Sequence, residues 1–117
     1  MTSSKLQSCI KIVFWLTLFT AYVLAILPAP DTIHLAPSDK IDHIIAFLTL
    51  TILAALAWQK TPSFKIAIGL SLFGALIELT QAIPFIHRDA ELADWLADIS
   101  AVFFVLLVRN AIKRFME

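Results

Sequence analysis

Apolar positions in this 117-residue chain fall into four long blocks, separated by short segments that hold most of the prolines and charges. The first block covers about residues 10–27 and stops at Pro28 and Pro30; the second covers 41–58, with Asp42 and His43 in its first turn and Pro62 shortly beyond it. The third covers 64–83 and ends at Pro84, and the fourth covers 92–108 and ends at Arg109. Each block is near the ~20 residues needed to cross the hydrocarbon layer, and backbone groups in lipid must be bonded within their own segment. The pattern therefore predicts an all-α fold: a four-helix transmembrane bundle forming one domain over residues 1–117. The first block follows Lys5 and Lys11 as a signal peptide would, but it is long for one and no A-x-A-like site follows, so it is expected to be retained.

Composition agrees with a membrane class. Hydrophobic residues make up 60% of the chain and charged residues 15%, too apolar a balance for an ordinary water-facing surface, and the mean hydropathy is +0.86. Net charge is +0 and no basic tract interleaves with aromatics, which excludes the electrostatic footprint of a nucleic-acid binder. Cys9 is the single cysteine, so there is no intrachain disulfide and no cysteine-rich metal site.

Charge position matters more than its sum. Lys5, Lys11, Lys60, Lys65, Arg109, Lys113 and Arg114 flank one side of the predicted spans, against Lys40 and Arg88 on the other. Basic residues collect on the cytoplasmic side of membrane proteins, so both termini and the loop around Lys60 are expected in the cytoplasm of a multi-pass plasma (inner) membrane protein. Trp15, Trp58 and Trp95 lie near span ends, where an interfacial aromatic belt would place them.

Several residues do not belong in lipid: Asp42 and His43 in the second span, Glu78 and Gln81 in the third, Asp94 and Asp98 in the fourth. At 1.5 Å per residue, Glu78 lies about 9 Å below Pro84 and Asp98 about as far below Leu92, so three spans bring polar groups to the outer leaflet. Ser71, Gly74, Glu78 and Gln81 share one helix face, where Gly74 allows close approach of a neighbour. Asp39 and His43, and likewise Asp94 and Asp98, are i, i+4 pairs. Helix capping and the helix dipole account for Asp39, Asp42 and Asp94 at helix starts. They do not account for Glu78, near a carboxyl end, or for Asp98, more than a turn deep.

The quoted motifs resemble the VanZ-like family, named for a membrane protein associated with teicoplanin resistance. Ser38-Asp39-Lys40-Ile41-Asp42-His43 looks like the family's S-D-K-x-x-H helix start, and Gly74 through Glu78 to Gln81 like its G-x-x-x-E-x-x-Q helix end. Arg88, Asp94 and Asp98 look like its R-x5-D-x3-N/D stretch, so the resemblance spans residues 38–107. Many relatives carry Asn where this chain has Asp98. The resemblance implies a role in envelope physiology or glycopeptide tolerance, with no defined reaction.

Three functional readings follow. In the first, an outward-facing polar pocket binds a lipid headgroup, a lipid-linked precursor or a glycopeptide: Arg88 and Lys40 hold phosphate or carboxylate, and Asp39, Gln81, Asp94 and Asp98 position them. In the second, the chain is an enzyme on a membrane-borne substrate, with His43 and Glu78 as acid/base candidates and Asp94 and Asp98 as possible hard-metal ligands. The third is a small proton-coupled transporter, for which a homo-oligomer would supply the pathway. Membrane lipids are the common partner, and no motif names a cofactor or a dedicated metal-ligand set.

Overall fold

The computed structural model describes residues 4–26, 39–83 and 92–116, with side chains in the second helix described from Ile41 onward. Among these residues the chain forms four helices and no strand: α1 (Ser4–Ile26), α2 (Asp39–Ala57), α3 (Ser63–Gln81) and α4 (Leu92–Met116). Three of them, α1, α3 and α4, are long and apolar enough to cross a membrane. The apolar part of α2 is shorter, Ile41–Ala57, yet at 1.5 Å per residue it extends about 26 Å, close to the thickness of a hydrocarbon core.

The surface identifies the solvent. Large apolar side chains face outward on every helix, including Leu16 and Phe19 on α1, Ile52 on α2, Leu79 on α3 and Leu107 on α4. Meanwhile His43, Thr51, Gln81, Asp94, Asp98 and Arg109 are buried. Water would reverse this arrangement, since contiguous exposed apolar surface is costly in it and buried charge doubly so. In lipid the outward face costs nothing and polar groups gain by turning to one another. The chain is an α-helical membrane protein.

Helix limits follow local chemistry. Pro62, which lacks an N–H, stands just before α3, and its carbonyl accepts from Lys65 and Ile66. The other end of α3 closes with Ala82 N–H donating to the Glu78 carbonyl and Ile83 N–H to that of Thr80, before Pro84 forbids continuation. Two helices outrun their predicted spans: α1 begins at Ser4 and α4 runs past Val108 to Met116. Hydropathy marks only the apolar stretch, whereas residues 109–116 keep helical propensity beyond it.

In the bundle, α4 packs mainly on α2 and α3, and α1 mainly on α2, with α1 and α3 in lighter contact. The core between them is apolar, with Phe47, Leu50, Phe73, Ile77, Val102 and Leu106 buried and the Phe47 and Phe73 rings 5.8 Å apart. Gly74 lets a neighbouring helix approach closely. A Cβ there would lie 3.2 Å from Trp95 Cδ1, 3.3 Å from Asp98 Oδ2 and 3.4 Å from Phe47 Cζ.

The two ends of the bundle differ. At one, the buried Arg109 donates through Nη2 to the carbonyls of Trp58 (3.0 Å) and Gln59 (2.9 Å), beyond the last turn of α2, and through Nη1 to Ser63 Oγ (3.3 Å). Lys113 also donates to Gln59 O, and Phe14, Trp15 and Trp58 stack edge-on with Lys11 over the Trp58 ring. A cation at a helix carboxyl end satisfies orphan carbonyls and complements the dipole. The opposite end carries the ionisable cluster.

Candidate functional site

The start of α2, the end of α3 and the start of α4 meet at that opposite end because consecutive helices run antiparallel. Antiparallel pairing of α3 with α4 sets Asp98 beside Gly74, as the 3.3 Å approach of Oδ2 to the glycine shows. Asp94, one turn nearer the helix start, then falls level with Glu78. A third side chain enters from α2. One potential ligating atom from each of His43, Glu78 and Asp94 lies within 4.8 Å of the others.

Asp98 sits beneath this triangle. It is fully buried, and its Oδ1 lies 3.3 Å from Nδ1 of His43, itself only 7% exposed. That separation is within ion-pair range, but the angles do not make a directed hydrogen bond, and neither Asp98 oxygen has a hydrogen-bond partner among the described residues. Asp42, Glu78 and Asp94 all have interaction partners.

The electrostatics are lopsided. Among the described side chains three carboxylates and one imidazole meet here, Glu78 and Asp94 each with an interaction partner, and at low dielectric such charges are compensated by a proton, a cationic side chain or a metal ion. Asp94, in the first turn of α4, gains from the positive end of that helix. Glu78, in the last turn of α3, is opposed by its own helix. The pair at one level is therefore a position where positive charge is stabilised.

Gln81 belongs to the same end but serves a second contact as well. It is 2% exposed, and its Nε2 donates to the Ala25 carbonyl at 2.9 Å, satisfying an orphan group in the last turn of α1. One turn of side chains away, Tyr22 Oη and Thr80 Oγ1 are 2.9 Å apart, and Thr80 donates onward to Leu76 O. Since Thr80 donates to the backbone, Tyr22 is the donor to Thr80. Helix α1 is thus docked on α3 by two polar contacts beside the cluster.

The sequence-predicted residues distribute as follows. His43, Glu78, Asp94 and Asp98 come together, with Gln81 adjacent and bridging to α1. The side chains of Asp39 and Lys40, and Arg88 as a whole, lie outside the described residues. Trp95 departs from the aromatic-belt expectation: it is half-buried and its Nε1 donates to Ser71 O at 3.1 Å, part-way down α3. Sequence reasoning counted Arg109 only as a cytoplasmic flank; its capping role has no local signal, because its acceptors are about fifty positions away in the chain. The tyrosine contact of α1 was missed too, although the chain's one Tyr, set within the first apolar block, is itself a hint that a hydroxyl has a partner.

Comparison with protein-family models, with curated proteins and with solved structures finds no match to this chain.

Proposed function

We propose that this chain is a multi-pass protein of the plasma (inner) membrane, with both termini cytoplasmic, and that it is a VanZ-like protein acting in cell-envelope physiology. Its outward-facing polar pocket handles the polar head of an amphiphile, such as a lipid headgroup, a lipid-linked precursor or a glycopeptide. The observation that carries this reading is the convergence of His43, Glu78, Asp94 and Asp98 from three helices at one end of an otherwise apolar bundle. Carrying ionisable groups inside a membrane costs roughly 2.5–3.5 kcal/mol each on insertion scales, a cost that structural packing alone does not require. The seven-to-two distribution of basic flanks supports placing that end outward.

Native mass spectrometry of the purified chain tests the proposal. Wild type is expected to retain an amphiphile adduct that Glu78→Gln and Arg88→Ala lose; equal adducts in all three overturn it. A strain producing the chain should in addition show altered teicoplanin susceptibility, reversed by Glu78→Gln.

A second reading, a membrane-embedded enzyme on a lipid-linked or phosphorylated substrate, is favoured by one observation. An imidazole and two carboxylates stand within 4.8 Å of one another, close enough for acid/base partnership on a bound headgroup. Turnover of a lipid pool that stops in His43→Ala and Glu78→Gln would select it over simple binding.

A further inference from the structure

An acidic cluster alone does not define a ligand, but here a second feature points to one. Asp98 and His43 are both more than nine-tenths buried, and Asp98 is aimed at the imidazole with no hydrogen-bond partner of its own among the described residues. A carboxylate 3.3 Å from one ring nitrogen of a buried histidine stands where the carboxylates that orient metal-binding imidazoles stand: a small turn of the ring would align the hydrogen bond, put the proton on the facing nitrogen and leave the other nitrogen's lone pair for a metal. With Nδ1 turned to Asp98, Nε2 is the nitrogen of His43 left to ligate. One ring nitrogen of His43 and one carboxylate oxygen each of Glu78 and Asp94 stand within 4.8 Å of one another.

We infer that His43, Glu78 and Asp94 form a three-ligand site for a first-row divalent metal ion, Mn²⁺ or Zn²⁺, with Asp98 as the positioning residue for His43. The inference rests on the reading of this cluster as a site and names its occupant. Three atoms at most 4.8 Å apart have a common centre about 2.8 Å or less from each, against roughly 2.0–2.2 Å for Zn–N and Zn–O bonds. Side-chain rotations of less than about 1 Å at each ligating atom close that difference. One nitrogen and two oxygens suit Zn²⁺ or Mn²⁺, whereas Mg²⁺ prefers an all-oxygen shell rich in water. The ion would also lie against the carboxyl end of α3, where the helix dipole favours a cation. Three protein ligands leave at least one coordination position open, where a phosphate or carboxylate of an amphiphile would bind.

The test uses the full chain in detergent micelles, stripped of metal with chelator. Mn²⁺ is titrated by electron paramagnetic resonance and Zn²⁺ by calorimetry, with Mg²⁺ in excess. Expected are one ion per chain, weakening of tenfold or more in Glu78→Gln and Asp94→Asn, and weakening of about 10–100-fold with unchanged stoichiometry in Asp98→Asn. Ser63→Ala, at the other end of the bundle, should bind as wild type does.

Because a variant can fail to fold, the wild-type chain carries its own readouts. Bound Mn²⁺ should show electron-spin-echo coupling to an imidazole ¹⁴N and should raise the unfolding temperature. Absence of saturable binding up to about 1 mM, absence of the nitrogen coupling, or unchanged affinity in folded Glu78→Gln and Asp94→Asn overturns the site. Metal binding without an amphiphile adduct supports this inference and sinks the preceding proposal; an adduct on a chain that binds no metal does the reverse.

Discussion

Gly69 and Gly74 lie on the same helix and make a matched pair for testing how the bundle sets its polar end. A Cβ at Gly69 would meet nothing within 4 Å, whereas one at Gly74 would press on Trp95, Asp98 and Phe47 at 3.2–3.4 Å. Phe47 and Asp98 are 1% and 0% exposed, and Trp95 is held by its bond to Ser71, so the three neighbours, on two helices, cannot all yield through one rotamer change. Replacing Gly by Ala in a helix gains about 0.8–1.0 kcal/mol of propensity, and overpacking a close contact costs about 1–3 kcal/mol. The propensity gain is common to both sites and cancels in the comparison. Gly74→Ala should therefore be less stable than Gly69→Ala by about 1–3 kcal/mol, or roughly 5–150-fold in the unfolding equilibrium. Against wild type, Gly69→Ala should be neutral to slightly stabilised and Gly74→Ala neutral to destabilised by about 2 kcal/mol. Unfolding of the purified variants by SDS in mixed micelles, followed by far-UV circular dichroism, measures the difference. Equal midpoints for the two variants would refute the close packing of α3 on α4 at this level. Gly74→Ala should also displace Asp98 from His43, so the metal affinity inferred above should fall in this variant and not in Gly69→Ala.

Three further outcomes are expected. Arg109→Gln removes the donor to two carbonyls beyond α2 and should lower stability by about 1.5–3 kcal/mol; Arg109→Lys should recover only part, because an ammonium lacks the planar fork, and full recovery by Lys would contradict the capping geometry. Gln81→Leu should cost about 1 kcal/mol and raise hydrogen exchange in the last turn of α1 more than in α2; uniform protection would mean that the Ala25 contact does not hold α1. Cys9 is exposed and is the chain's single thiol, so a membrane-impermeant maleimide reports topology without background: labelling is expected in inverted vesicles, and labelling in intact cells would reverse the orientation.

The helical class was legible because lipid leaves so few solutions. Apolar blocks of about twenty residues, three of them followed by proline, can only be helices in lipid, and the four observed helices occupy the four blocks. The inward stripe on α3 was legible for the same geometric reason: Ser71, Gly74, Glu78 and Gln81 recur at helical spacing, and all four make contacts within the bundle or are at least partly buried in it. What periodicity cannot supply is which faces meet. The pairing of α3 with α4 at the level of Gly74 and Asp98, and the docking of α1 through Tyr22, depend on packing between segments distant in sequence. Trp95 illustrates the same limit, since position along a helix places it near the rim while rotation turns its indole inward to Ser71.

Those long-range pairings also explain why the polar cluster can exist at all. Association of helices in lipid gains nothing from hydrophobic burial, so it depends on close packing and on hydrogen bonds. The end with Arg109, Ser63 and Lys113 is fastened by hydrogen bonds to backbone carbonyls and side chains, and the middle by Gly74 and the aromatic core. With these fixed, the distance between α3 and α4 at the level of Glu78 and Asp94 is set by packing below them. Glu78 and Asp94 are thus brought to one level by the packing of the rest of the bundle, each with an interaction partner of its own. A cation that bridges them binds the folded chain and not the unfolded one, so its binding energy should appear as a higher unfolding temperature of the loaded chain. Glu78→Gln removes a ligand and leaves the packing below it in place, so the variant should remain folded when metal-free and lose its stabilisation by Mn²⁺. If Mn²⁺ instead raises the unfolding temperature of Glu78→Gln as much as that of wild type, Glu78 is not a ligand and the ion is not held between α3 and α4.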